Sequence, residues 1–94
     1  MSVFLVSYEL KTESGPADYQ PLWDALNKLT SHKVQRSVWL VATTSTARVL
    51  HDHLKQFVDG NDRIWVSRVH AGTGSEHYYS TALVGTNDFL AKHL

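Results

Sequence analysis

The sequence predicts an α+β domain in which one antiparallel sheet carries two helices on one face. Three observations lead there. The chain has 94 residues, enough for one domain and no more. Its apolar fraction of 43% and charged fraction of 19% are globular rather than disordered. Short β-branched and aromatic runs alternate with two stretches of helical apolar spacing.

Val3 to Leu10 is short, apolar and β-rich, and reads as a buried strand. Residues 11–17 are loop chemistry, with Gly15 and Pro16 as breakers. Asp18 is the expected N-cap of a helix with Tyr19, Leu22, Leu26 and Leu29 on one face and Trp23 widening it. Pro21 then falls in the first turn, where its missing N–H costs little. Val34 to Thr43 is extended and long for one strand. Ser37 is the expected bulge or tight turn within it.

Thr44 or Ser45 should cap a second helix with the stripe Ala47, Leu50, Leu54, Phe57 and Val58. Asp59-Gly60-Asn61 should end it, with Gly60 able to take the left-handed conformation. Arg63 to Val69 is a further strand, and residues 71–75 a Gly-rich linker. Tyr78, Tyr79 and Thr81 suit a short strand. Thr86 or Asn87 should cap a last helix carrying Phe89, Leu90 and Leu94. The order is that of a split β-α-β, ferredoxin-like sandwich over residues 1–94, with a C-terminal tail holding a short strand and a helix.

A sheet covered on one side should alternate apolar and polar residues. These strands are apolar on both faces near their middles. Two helices cover one face, and the other needs a lid. A second copy of the chain is the simplest lid, with Trp39, Trp65, Tyr78 and Tyr79 in the interface. The alternative is that the tail folds back over the sheet.

Nine Lys/Arg balance nine Asp/Glu, which argues against a protein living on non-specific nucleic-acid contacts, although a local patch can still be basic. Six His would add positive charge on acidification. With no Cys, thiolate metal sites, disulfides and Cys nucleophiles are excluded. The first ten residues lack a basic region and a cleavage pattern, and no apolar run approaches the ~18 residues of a membrane span. The expectation is a cytoplasmic protein with no membrane partner.

Three segments resemble the small CRISPR-associated adaptation nucleases, the Cas-two family. Ser7-Tyr8-Glu9-Leu10 is similar to the family's first strand ending in Tyr-Asp-aliphatic. Val34-Gln35-Arg36-Ser37-Val38-Trp39 is similar to its Val-Gln-x-Ser-Val-Phe strand. Asp62-Arg63-Ile64 resembles the start of its late strand. The resemblance covers roughly residues 1–70 and implies a symmetric homodimer. It also implies one of three roles: metal-dependent cleavage of RNA or DNA, a scaffold for the CRISPR integrase, or an RNase toxin of the VapD type.

In the nuclease role, first-strand acids from two subunits would hold Mg²⁺, which needs only one or two carboxylates besides phosphate and water. The catalytic and metal residue would then be Glu9, with Ser37 nearby positioning phosphate or water. The family acid is Asp, so the longer Glu9 requires a shifted ion or another rotamer. A second reading makes Glu9 a solvated strand-end charge, or the partner of Lys11 or Arg36.

Lys11, Lys33, Arg36 and Arg68 are candidates for a basic rim along a nucleic-acid backbone. His51-Asp52-His53 looks like a metal triplet, but residues two apart on a helix do not share a face. His70 and His77 flank the Gly-rich linker and could converge with Glu76 as a metal or general-base site, though a pH-sensitive loop or plain surface is the preferred reading. Tyr8, Trp39 and Trp65 could stack bases, yet the RNA-recognition signature is absent. The leading expectation is a non-catalytic dimeric scaffold for protein or nucleic-acid partners. The alternatives are an Mg²⁺- or Mn²⁺-dependent endonuclease and a small-molecule-sensing domain.

Overall fold

A computed structural model describes residues 1–9, 16–69 and 80–94. Its elements are β1 (Ser2–Glu9), α1 (Pro16–Asn27), β2 (Thr30–Gln35), β3 (Val38–Thr43), α2 (Ala47–Lys55), β4 (Arg63–Val69) and α3 (Thr86–His93). The sheet order is β2-β3-β1-β4, antiparallel throughout. This is the ferredoxin-like split β-α-β sandwich, with a third helix from the tail.

β1 forms because Phe4, Val6 and Tyr8 bury on one face while Val3 and Leu5 bury or half-bury on the other. Cross-strand partners share a face. Val6 therefore groups with Trp39 and Val66, and Leu5 with Leu40 and Ser67. On the first face, α1 supplies Leu22, Ala25 and Leu26 and α2 supplies Leu50 and Leu54. These pack on Phe4, Val6, Tyr8, Trp39 and Val41 as the main core.

The opposite face has its own smaller core. Val3, Val34, Leu40 and Ala42 are covered by Ala82, Phe89, Leu90 and Leu94. The tail is thus a lid, the alternative to a second copy, over the β2–β3 side of the sheet. Its described residues do not cover Trp65, which is 68% exposed. The expected short strand of the tail does not form within residues 80–84, and Tyr78 and Tyr79 lie outside the described residues.

Several element ends differ from expectation. The first helix starts at Pro16, so Asp18 sits in its first turn and is not the cap. Pro21 is then interior, where it forfeits the bond to the carbonyl of residue 17. The long extended segment does split. Arg36 and Ser37 form the turn, and the bulge falls at Val34, an extra residue between the Lys33–Trp39 and Gln35–Val38 pairs.

The cap of α2 is Thr46, not Thr44 or Ser45, and its hydroxyl accepts from the Val49 N–H. The helix ends at Lys55, before Phe57 and Val58, which pack in the following turn. Gly60 does not adopt a left-handed conformation. That conformation belongs to Gly85, the N-cap of α3, where Thr86 or Asn87 was expected.

Candidate functional site

Glu9 ends β1 directly opposite Arg63, which opens β4. Their side chains form an ion pair, both about two-thirds exposed. Glu9 is therefore held by a residue 54 positions away, not by Arg36. Lys11 lies outside the described residues. No group of three His, Cys, Asp or Glu that could hold a metal exists among the described residues. Mg²⁺ asks for hard oxygen ligands. Around Glu9 the described residues offer a guanidinium rather than a second carboxylate.

Ser37 lies beside this strand end. Its carbonyl accepts the Tyr8 N–H at 3.2 Å, which brings the β2–β3 turn next to Glu9. The structure thus places the two candidate catalytic residues at one end of the sheet.

The loop before Arg63 is held tightly. Lys55 Nζ donates to the carbonyls of Gly60 and Asp62, each at 3.3 Å, and to that of Asp59 at 3.5 Å. The Asp62 carboxylate, buried, accepts the Asp59 N–H at 2.8 Å. Neither Lys55 nor Asp62 stood out in the sequence as a positioning residue. The Asp-Gly-Asn-Asp run was the available signal, since such residues bond back to their own loop.

The aromatic residues fall into two groups. The Tyr8 hydroxyl accepts from Trp23 Nε1 at 2.7 Å and from Trp39 Nε1 at 3.1 Å, and donates to the Arg36 carbonyl at 3.5 Å. Tyr19 stacks on Trp23 at 5.3 Å, and Lys33 Nζ sits 4.7 Å from the Trp23 ring centre. Trp39 is 5% exposed beneath the helices. It belongs to the main core of this chain, which corrects its expected place with Trp65 on the uncovered face.

Trp65 is the opposite case. It pairs with Ser7 on the face opposite Trp39, and its indole N–H donates to Ser67 Oγ, two residues along the same edge strand. That bond gives the exposed indole a partner on its own strand. Ser7, Ser67 and the Glu9–Arg63 pair border it on the same face.

Three residues of the expected basic rim, Lys33, Arg36 and Arg68, fall among the described residues. Lys33 lies on β2 and Arg36 on the adjoining turn, at one edge. Arg68 lies on β4 at the other edge, three strand spacings or about 14 Å away. His51 pairs with Asp52 at 3.0 Å on the solvated side of α2, and His53 packs edge-on against Phe57. His70, Glu76 and His77 lie outside the described residues. A histidine that the sequence did not single out does have a role. Thr86 donates its hydroxyl proton to the Leu83 carbonyl, so its oxygen accepts from His32 Nε2 at 2.9 Å and ties α3 to β2.

Fold and site together define a class: a split β-α-β sandwich with an exposed tryptophan on the sheet face opposite its two main helices. No family model matches the chain.

Proposed function

We propose that this chain is a small, non-catalytic, Cas-two-like scaffold that works as a homodimer and associates with nucleic-acid or protein partners. One observation carries the reading: an exposed Trp65, its indole N–H on Ser67 Oγ, on a sheet face that the described residues of the tail cover only in part. Trp is enriched among residues that dominate binding energy, and an anchored side chain loses less freedom on docking. The Glu9–Arg63 pair supports the non-catalytic part, because the carboxylate a nuclease would use already has a counter-charge.

The experiment is sedimentation equilibrium of the wild type beside Trp65→Ser. The wild type is expected to be a dimer. The variant is expected to weaken it by about 2 kcal/mol or more, as the loss of a central aromatic anchor does. A wild type that stays monomeric at high concentration defeats the reading.

A second reading, an Mg²⁺- or Mn²⁺-dependent endonuclease acting on RNA or DNA, has one observation behind it. The hairpin turn sets Ser37 beside the end of the strand that carries Glu9. Cleavage that appears with metal and vanishes in Glu9→Gln would establish it in place of the scaffold.

A further inference from the structure

Gly60 stands between α2 and β4 without a conformational reason for being glycine. Its φ is not positive, and a Cβ added there would meet nothing within 4 Å. It follows Asp59, at the one point of the chain where Asp or Asn precedes Gly. The two open a turn in which the Asp59 carbonyl accepts the Asp62 N–H at 3.1 Å. Both residues are exposed. Among the described residues neither the Asp59 carboxyl group nor the Gly60 N–H has a hydrogen-bond partner. An electrophile and a nucleophile on neighbouring residues are thus both unengaged, and glycine sets no side chain between them.

We infer that Asp59–Gly60 is a site of spontaneous backbone isomerisation, promoted by Lys55. The Gly60 nitrogen gives up its proton and bonds to Asp59 Cγ. The hydroxyl of the protonated carboxyl leaves, and proton and hydroxyl depart together as water. The succinimide so formed then takes water back. Attack at Cγ restores Asp59. Attack at the main-chain carbonyl breaks its bond to the Gly60 nitrogen and leaves an isoaspartyl link through the side chain. Water is the only co-reactant, and the product has the mass of the starting chain.

Lys55 acts at the first step. Removing the Gly60 proton places negative charge on the Asp59 carbonyl oxygen, because nitrogen and oxygen of an amide are conjugated. Lys55 Nζ lies 3.5 Å from that oxygen and 3.3 Å from the Gly60 carbonyl oxygen. A cation so placed favours the deprotonated form. The product matters for β4. Its main chain is one methylene longer, and the carbonyl that closed the turn onto Asp62 has become a free carboxylate. Asp62 leads directly into Arg63, so the strand carrying Trp65 loses the hold at its start.

The test is peptide mapping with electron-transfer fragmentation, which tells the two linkages apart. The folded protein first stands for several weeks at physiological temperature and neutral pH. The wild type is expected to accumulate isoaspartate at residue 59 ahead of every other Asp and Asn. Gly60→Ala should keep the circular dichroism spectrum and react roughly tenfold more slowly. Lys55→Met should react roughly fivefold more slowly, with Lys55→Arg close to the wild type. A purely structural Lys55 would give the opposite sign, since a loosened loop reacts faster. In urea the wild type and Lys55→Met should react alike. Hydrogen exchange of the separated isomer should be roughly tenfold faster at the amides of Asp62 and Arg63.

A folded wild type that forms no isoaspartate at residue 59 overturns the inference. So does Gly60→Ala reacting at the wild-type rate, or a folded Lys55→Met reacting as fast as the wild type or faster.

Discussion

Tyr8 shows how much one hydroxyl can hold. It takes the N–H of two indoles, and Trp39 is buried enough to have no recourse to water. Tyr8→Phe keeps the ring and strands that donor. It should cost about 1–3 kcal/mol in urea unfolding, the range for an unmet buried polar group. The sequence marked both residues as aromatic strand positions but misplaced Trp39. Alternation with a period of two tells which residues share a face. It does not tell which face the helices will choose, and in strands apolar on both sides nothing local breaks the tie. The partner of Glu9 was missed for a related reason. On the sequence alone the candidates were Lys11 and Arg36, whereas the partner seen, Arg63, arrives through strand pairing across the domain.

At the level of elements, the helices were legible in their stripes and less so at their ends. Three hydroxyl residues precede α2, and any of them has the chemistry of a cap. Thr46 has it because its backbone is extended, at φ −93° and ψ 166°, with its hydroxyl reaching Val49. Thr46→Ala should therefore lower stability by about 1 kcal/mol, while Ser45→Ala should leave the denaturation midpoint almost unchanged. β2 begins at Thr30 with four residues that carry no apolar β signal, since it is an edge strand held by pairing with β3. Only its last residues could be read in advance.

Gly85 was missed because a left-handed cap leaves little trace besides the glycine itself. Its φ of 99° disfavours any side chain, and a Cβ there would meet His32 Cε1 at 3.1 Å. Gly85→Ala should loosen α3 by about 1–2 kcal/mol. Amide hydrogen exchange would read this as roughly tenfold or more faster opening of that helix, with β1 and β3 unaffected.

At the scale of the molecule, the antiparallel sheet and its two covering helices followed from apolar runs in the right order. That pattern is set by burial, which a single sequence records well. The two-sided greasiness of the strands was also legible, and it correctly required a second cover. What could not be read was how that cover would be divided, because it depends on how far an eight-residue helix reaches across four strands. No helix among the described residues is long and apolar enough to cross a membrane.

That division has a cost for anyone who shortens the protein. The last turn and a half of chain, from Phe89 to Leu94, supplies most of the tail's cover over Val3, Leu40 and Ala42 among the described residues, with Ala82 beside it. A version stopped after residue 84 would join the bare half of the sheet to the half already bearing the indole. Light scattering should then find it clumping, since an apolar sheet face laid bare across its width is an aggregation-prone surface.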